Sequence, residues 1–360
     1  MSLSKLKIAD LEAKLPIVQG AMGVGISLSN LASTVANAGA VGMIAGVQIG
    51  YSEPDFEENP KEANIRALKK HIRKAKSLSP EGVIGVNLLT AINNYADMVR
   101  ASVEEKVDLI VSGAGFPKNL PDLVKGSDTK IAPIVSSGKG AQLISKIWDR
   151  RYNRVPDMVI IEGPEAGGHL GFTVEDLKNP PSLENLVPET IENLAPFEEK
   201  YNKKIPVVAA GGIYNGKDIK KYLELGASGV QMATRFVTTK ECDASEEFKK
   251  TYVNSAKEDI QLVKSPVGMP GRAINNQFIN KLKEEDIPIN KCYNCLRPCD
   301  PSSSSYCISD ALVNSCIGDV DNGLIFCGTN AYRAEKITTV KDVINELVAE
   351  ATNYNNVVSN

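Results

Sequence analysis

Short apolar runs alternate with longer amphipathic stretches along most of this chain. The runs are continuously apolar rather than alternating in polarity, which is typical of parallel strands that are buried on both faces. Eight such runs are predicted to be strands: Pro16–Met22, Val41–Gly46, Gly82–Leu88, Val107–Gly115, Lys130–Ser137, Asp157–Gly163, Pro206–Gly212 and Gly229–Arg235.

A helical stretch follows each predicted strand, and six of these stretches are given bounds. Near residue 220, for example, Ile219, Tyr222 and Leu223 repeat with the spacing of one helix face. The predicted helices are Asn30–Ala38, Lys61–Lys76, Asn93–Glu105, Lys139–Arg150, Glu184–Tyr201 and Lys217–Leu225. Eight strands that are each followed by a helical stretch favour an α/β fold of the closed TIM (β/α)8-barrel type over an open, doubly wound sheet.

Polar and glycine residues lie at the C-terminal ends of the predicted strands. Active sites of barrels are built at these ends, so their position agrees with the barrel prediction. The residues are Asn87, Gly113–Gly115, Ser136–Ser137, Glu162, Gly211–Gly212 and Gln231.

Two stretches exceed a minimal barrel. Residues 170–206 are long for one connection, and we expect their start to form a loop over the barrel mouth, as an insertion after the sixth strand. We predict a barrel formed by residues 1–264 and a C-terminal lid segment, residues 265–360, that packs on it. Within the lid segment, Ser309–Ile317 and Lys341–Ala349 are predicted helices, and residues 323–328 are predicted to return to the barrel mouth.

Charge and hydropathy exclude several classes of function. The 360 residues carry 41 basic and 44 acidic side chains, a net charge of −3, and contain no long basic run. We therefore expect no nucleic-acid partner and no anionic membrane surface. The N-terminus lacks the apolar core of a signal peptide, and no stretch approaches the roughly 18 apolar residues of a membrane-spanning helix. A cytoplasmic location is expected.

Six of the seven cysteines lie beyond residue 290. An odd number of cysteines argues against a disulfide framework. Cys292, Cys295, Cys299 and Cys307 have the close spacing of thiolate metal or iron–sulfur sites. The prolines and serines around them indicate instead a flexible loop with reduced thiols. Both interpretations stay open, and no cysteine is assigned as a metal ligand.

A phosphate-binding pattern follows the seventh and eighth predicted strands. Gly211 and Gly212 end the seventh strand and allow close approach of the backbone, and Thr234 follows the eighth. Barrels often bind phosphate between these two loops, at the N-terminus of a short helix. The sequence therefore favours a phosphorylated ligand here over a simple tight turn at the glycines.

The two histidines lie in different surroundings. His71 occurs in a run of charged residues and is predicted to be a solvated surface residue. His169 lies between glycines in the loop after the sixth strand, which suits a loop that packs against a flat ligand. An imidazole can donate or accept a proton near neutral pH. His169 is therefore the candidate catalytic residue; the alternative is a histidine that only bonds its own turn.

Six motifs, in this order and spacing, resemble the nitronate monooxygenase (2-nitropropane dioxygenase) family and the closely related FMN-containing enoyl-ACP reductases of type II. They are PIVQGAMG, GVNL, GAGFP, EGPEAGGHLG, VVAAGGI and QMATRF. The resemblance covers roughly residues 10–280, with a weaker match over 323–348. It implies a TIM barrel that binds FMN without a covalent link.

The resemblance also implies roles for individual residues. Those expected to line the flavin ring are Ala21, Met22, Gly23, Asn87, Gly167 and Gly168. Those expected to hold or adjoin the phosphate are Gly211, Gly212, Gln231, Met232, Ala233 and Thr234. Glu162 would lie near the ribityl chain or behind it, and His169 would face the substrate.

Two activities follow from the resemblance. In the first, which the longer insertion and the cysteine-rich segment favour, an alkyl nitronate is oxidised with O2 to a carbonyl compound and nitrite. In the second, NAD(P)H drives the reduction of an enoyl thioester. For that reaction, residues 264–276 would border a groove in which Arg272 meets a phosphate, unless they only form a turn. A homodimer agrees with the resemblance, and flavin binding without turnover is a third interpretation.

Overall fold

Eight parallel strands form a closed barrel in the computed structural model, which describes residues 3–353. The strands are β1 (Ile17–Gln19), β2 (Gly42–Ala45), β3 (Ile84–Leu89), β4 (Leu109–Gly113), β5 (Lys130–Val135), β6 (Val159–Glu162), β7 (Val207–Ala210) and β8 (Gly229–Met232). Each strand pairs with the next, β8 pairs with β1, and a parallel bridge between Val18 and Val41 joins β1 to the start of β2. The TIM-barrel prediction is confirmed.

A helix follows each barrel strand. The helices are α1 (Ser29–Asn37), α2 (Pro60–Leu78), α3 (Tyr95–Glu104), α4 (Leu120–Leu123), α5 (Gly138–Tyr152), α6 (Leu183–Tyr201), α7 (Gly216–Glu224) and α8 (Thr234–Val237). The six predicted helices are all present, whereas the short α4 and α8 were not predicted. Side-chain caps mark several N-termini; the Ser137 hydroxyl, for example, accepts a hydrogen bond from the Gly140 amide before α5.

The strands are buried on both faces, as their apolar runs indicated. One face fills the barrel interior with side chains such as Val18, Met43 and Ile160. The other packs against the ring of helices. An N-terminal hairpin, Leu6–Ile8 with Leu11–Ala13, places Leu6 and Ile8 in the interior cluster. The open space of the barrel lies at the C-terminal ends of the strands.

A small antiparallel sheet, termed here the mouth sheet, lies at that end. It consists of Ile260–Lys264, Pro270–Ile274 and the two-residue strand Gly168–His169. The middle strand is Pro270–Ile274, so residues on both sides of the predicted boundary at 264 pair with each other. The division into segments 1–264 and 265–360 stays a prediction, and residues 354–360 lie outside the described part of the chain.

Four further α-helices lie in the described chain: α9 (Glu246–Asn254), α10 (Gln277–Glu284), α11 (Ile308–Ile317) and α12 (Val340–Asn353). The last two confirm the predicted helices of the C-terminal segment. Helix α12 docks on the barrel wall: the Glu350 carboxylate accepts a hydrogen bond from the Gly216 amide at 2.7 Å, and Arg235 forms a two-pronged ion pair with Glu346. No helix in the described range is both long and apolar enough to cross a lipid bilayer.

The prediction for His71 is wrong. Its ring is half-buried, and Nδ1 lies 3.0 Å from the Ser29 hydroxyl at the start of α1. Burial, followed by the charges of Lys70 and Lys74, lowers its pKa to about 4. The charged neighbours concealed the helical period, which places His71 on the same face of α2 as the buried Leu68 and Ala75.

Candidate active site

A cavity of about 670 Å³ opens at the C-terminal ends of the barrel strands. Every candidate site residue from the sequence lines it, although the individual roles stay predictions. These residues are Ala21, Met22, Gly23, Asn87, Glu162, Gly167, Gly168, His169, Gly211, Gly212, Gln231, Met232, Ala233 and Thr234. The fold thus brings together residues that lie more than 200 positions apart.

The first loop of the cavity is held by two polar side chains that the sequence did not single out. The fully buried Gln19 amide accepts a hydrogen bond from the Met43 backbone and donates one to Gly20. The Ser27 hydroxyl accepts from the Met22 amide at 2.8 Å. These contacts determine the path of the backbone through Ala21 and Gly23. For Gln19, the sequence signal was a polar residue at the end of an apolar strand.

The predicted phosphate loops form one end of the cavity. Gly211 and Gly212 have φ values of 99° and 79°, a left-handed conformation that favours glycine. A Cβ atom on Gly211 would lie 3.0 Å from the Gly163 carbonyl oxygen, and one on Gly212 would collide with the Glu165 carboxylate. Ala233 precedes the short helix α8 and Thr234 begins it. This is the arrangement in which barrels bind phosphate.

Gly167 and Gly168, in the loop after β6, have different surroundings. A Cβ atom on Gly167 would lie 2.6 Å from the Cys327 backbone, so this glycine makes room for the C-terminal segment. Gly168 has a φ of 71°, and no other atom lies within 4 Å of the position that its Cβ would take. The open space beside Gly168 belongs to the cavity wall, which is therefore free of side chain at this point.

His169 is oriented by contacts from three directions. Its backbone pairs with Gly271 in the mouth sheet. Its Nε2 lies 2.7 Å from the hydroxyl oxygen of Ser265, and the Phe326 ring meets it edge-on with centroids 4.9 Å apart. Burial lowers the pKa of His169 to about 4, so the imidazole is neutral at neutral pH.

Glu162 ends β6 and is half-buried in the same cavity. Burial raises its pKa to about 7, because desolvation disfavours the carboxylate. The side chain is thus divided between its neutral and charged forms near neutral pH.

The C-terminal segment covers the cavity with residues that the sequence analysis had not assigned to the site. They are Cys295, Leu296, Pro298, Ile308, Ser309, Leu312, Phe326, Cys327 and Gly328. The predicted return of residues 323–328 to the barrel mouth is confirmed, since Phe326 bridges Ala273 in the mouth sheet. Most of this cover is apolar, so it gives the cavity an apolar wall opposite the barrel strands.

The cysteines stay single thiols in the structure. Within residues 3–353, no group of three or more histidine, cysteine, aspartate or glutamate side chains has the geometry to hold a metal ion. Cys295 lines the cavity and its sulfur accepts a hydrogen bond from the Ser309 hydroxyl at 3.1 Å.

Arg272 does not take the position that the sequence suggested for it. Its guanidinium donates to the carbonyl oxygens of Pro164, at 2.9 Å, and Ala166. Both carbonyls belong to the loop that carries His169. Arg272 therefore anchors this loop to the mouth sheet, and it is not among the residues that line the cavity.

The sequence model of the nitronate monooxygenase family matches residues 4–350. The chain belongs to the nitronate monooxygenase family. It is accordingly an oxidoreductase that acts on small molecules. Among family relatives, a protein of Staphylococcus saprophyticus named as a probable nitronate monooxygenase is 29% identical over 333 residues, which cover 82% of this chain and 87% of that protein.

A second relative has a different name. It is the (3aS,4S,5R,7aS)-5-hydroxy-7a-methyl-1-oxo-octahydro-1H-indene-4-carboxyl-CoA dehydrogenase of Rhodococcus jostii, which is 27% identical over 268 residues. The match covers 74% of this chain but only 65% of the length of that protein. This chain is thus similar both to a protein named as a probable nitronate monooxygenase and to an enzyme named for a CoA-linked substrate.

Two solved structures share the fold over nearly the whole chain. FabK of Thermotoga maritima superposes with a TM-score of 0.74 at 26% identity, covering 95% of this chain and 94% of that one. Nitroalkane oxidase of Streptomyces ansochromogenes has the same TM-score at 21% identity, with coverage of 96% and 98%. At that identity the second likeness concerns the fold alone. The nitronate monooxygenase fold of this chain therefore includes the C-terminal cover.

Proposed function

We propose that this protein is an FMN-dependent nitronate monooxygenase that oxidises alkyl nitronates with O2 to a carbonyl compound and nitrite. The observation that carries the proposal is the position of His169: a neutral imidazole at the wall of a cavity whose cover is mainly apolar. A nitronate combines an anionic head with an apolar tail, and this site offers a polar group and an apolar surface to match.

The residues present fit FMN. The glycines at 211 and 212 leave no space for a side chain and bring backbone to the cavity surface beside the start of α8, as a phosphate requires. Gly168 leaves a bare wall against which a flat ring can pack. When bound, FMN would take electrons from the substrate and pass them to O2. The backbone from Ala21 to Gly23 would border its ring, since it lines the same cavity.

The protein side chains would bind and orient the nitronate. His169, being neutral, can direct an N–H donor at a nitronate oxygen without a net charge of its own. Leu296, Leu312 and Phe326 would pack against the alkyl group and exclude water, which strengthens the polar contact. His169 and these apolar residues come from opposite halves of the chain, so the substrate site would be complete only when the C-terminal segment is in place.

NAD(P)H-dependent reduction of an enoyl thioester is the second candidate. It is favoured by the likeness to FabK at 26% identity and by the relative that is named for a CoA-linked substrate. Arg272 gives this candidate no support, because it does not line the cavity and its Nη1 group bonds two loop carbonyls.

Oxygen uptake with an alkyl nitronate in air, without NAD(P)H, tests the proposal. We expect rapid uptake with release of nitrite. His169→Ala is expected to lower kcat by about 10²–10³-fold while FMN stays bound, as for loss of one preorganised donor. The matched control is His71→Ala, which changes the only other histidine, a residue that does not line the cavity, and should leave kcat unchanged.

One outcome would contradict the proposal. If the nitronate causes no oxygen uptake and the purified protein reduces a crotonyl thioester with NADH or NADPH, the proposal is wrong and the second candidate replaces it.

A further inference from the structure

Ser265 is a buried hydroxyl that contacts the candidate catalytic histidine. Only 3% of Ser265 is exposed, and its oxygen lies 2.7 Å from Nε2 of His169. It lies directly after the strand Ile260–Lys264, at the start of the turn that leads into Pro270–Ile274. The Gly268 amide closes this turn on the Ser265 carbonyl at 3.0 Å. The hydroxyl is therefore held by the mouth sheet rather than by a free loop.

The hydrogen bonds of Ser265 have a direction. Its oxygen accepts from the Val267 amide, an N–H that can only donate, at 3.4 Å. A buried hydroxyl proton also needs an acceptor, since leaving it unpaired costs free energy. Within residues 3–353, the contact with Nε2 of His169, at 2.7 Å, is the hydrogen bond in which the Ser265 hydroxyl can donate this proton. The ring nitrogen that accepts this proton carries none itself.

We infer that Ser265 is a positioning residue: it donates its hydroxyl proton to Nε2 of His169 and so holds the ring proton on Nδ1. Nδ1 has no hydrogen-bond partner within residues 3–353, and the ring lines the cavity, so this N–H is the one available to a ligand. His169 then acts as a neutral hydrogen-bond donor and not as a base.

The inference distinguishes the ionised nitronate from the neutral nitroalkane as substrate, and this step rests on the proposed function. A donor on Nδ1 suits the oxygens of a nitronate that is already ionised. It does not suit a neutral nitroalkane, whose α carbon must lose a proton to a base. The ionised nitronate is therefore the form that the site is built to bind.

Tyr306 provides the competing arrangement. Its hydroxyl donates to the Lys264 carbonyl at 3.4 Å, and it also lies near the Ser265 hydroxyl. If Ser265 donated to Tyr306 instead, Nε2 of His169 would be the protonated nitrogen and Nδ1 would present a lone pair.

Nitrogen-15 NMR of the purified holoprotein decides between the two arrangements. With ¹⁵N-histidine labelling the spectrum contains only two imidazole rings, and His71→Gln assigns them. At neutral pH, without substrate, we expect His169 to show a protonated Nδ1 and an unprotonated Nε2. An unprotonated Nδ1 in the wild-type protein overturns the inference.

Three variants separate positioning from mere packing. Ser265→Ala should shift His169 toward the Nε2–H form that a free imidazole side chain prefers in water, and should lower kcat/KM for a nitronate about tenfold. Ser265→Thr keeps the hydroxyl and should keep the Nδ1–H form. Tyr306→Phe should leave the tautomer unchanged.

Two further results would contradict the inference: a Ser265→Ala protein with the wild-type tautomer, or a Tyr306→Phe protein in which the ring proton has moved. Because the NMR measurement uses no substrate, it stands even if nitronates are not oxidised. Failure of the proposed function is therefore distinguishable from failure of this inference.

Discussion

His169 and Glu162 are half-buried in one cavity. Burial shifts the pKa of each residue in the direction that favours its neutral form. The pKa of His169 falls to about 4 and that of Glu162 rises to about 7, with desolvation as the main cause in both cases. Near neutral pH, His169 therefore adds no charge and Glu162 only a partial one. An anionic ligand thus meets neutral donors at His169 rather than a cation.

The raised pKa of Glu162 predicts how the free energy of unfolding of the ligand-free protein depends on pH. Its folded pKa, about 7, is above the ordinary value of 4.5. Between these values the folded state binds more protons than the unfolded state, so the free energy of unfolding falls as pH rises from about 4.5 to about 7, and the loss is complete above that range. Glu162→Gln should remove this loss.

Thermal denaturation of both proteins across this range measures the effect. The melting temperature of Glu162→Gln relative to wild type should increase as pH rises, and the difference should level off above about pH 7. A difference that is constant with pH would show that the carboxyl titrates near its ordinary value.

At the scale of elements, the loop after β6 joins the barrel to its cover. Gly167 admits the Cys327 backbone, Gly168 leaves the wall bare, and Arg272 holds the loop to the mouth sheet. Sequence motifs locate such a loop because its glycines are needed at fixed positions. They do not show which glycine faces a ligand and which faces another part of the chain.

Substitution of two glycines separates backbone strain from loss of ligand space. Gly168 and Gly126 both have positive φ values, 71° and 81°, and both have open space around the Cβ position. Alanine at either position should therefore destabilise the protein by a similar roughly 1–2 kcal/mol. Only Gly168→Ala places a methyl group at the cavity, so only it should weaken FMN binding.

Urea denaturation and titration of the apoprotein with FMN measure the two effects. Equal losses of stability with equal FMN affinities would show that the cavity wall at Gly168 does not contact the cofactor.

For the whole molecule, the C-terminal segment is tied to the barrel at several separate places. The mouth sheet joins residues 168–169 to 270–274, the Tyr252 hydroxyl donates to the Phe326 carbonyl at 2.5 Å, and α12 packs on α7. Val340, Val343 and Leu347 on α12 are fully buried. Contacts spread in this way favour unfolding of the barrel and its cover together.

We expect a single unfolding transition in urea. Trp148, the only tryptophan, is buried on α5 and reports on the barrel by fluorescence. Cys316 and Cys327, both 2% exposed, report on the cover by thiol labelling and mass spectrometry, with the exposed Cys292 as a control that labels throughout. The two midpoints should coincide. Labelling of Cys327 at a lower urea concentration than the Trp148 transition would show that the cover opens by itself.

The sequence by itself determined the barrel and the part of the cavity that lies at the ends of the barrel strands. Strand and helix periods are local, and the position of a residue at a strand end decides where a closed barrel places it, so His169, Glu162 and the glycine pairs could be located without a structure. The family motifs added the cofactor prediction, because they occur in one order and spacing.

Only the tertiary structure decided what surrounds these residues. His71 lies against Ser29, Arg272 is bonded to the loop of His169, and Ser265 meets Nε2 from 96 positions away. The apolar cover comes from a segment whose prolines and serines indicated a flexible loop. Such contacts depend on how distant elements pack, and no local pattern of residues encodes which side chain will lie opposite another across a cavity.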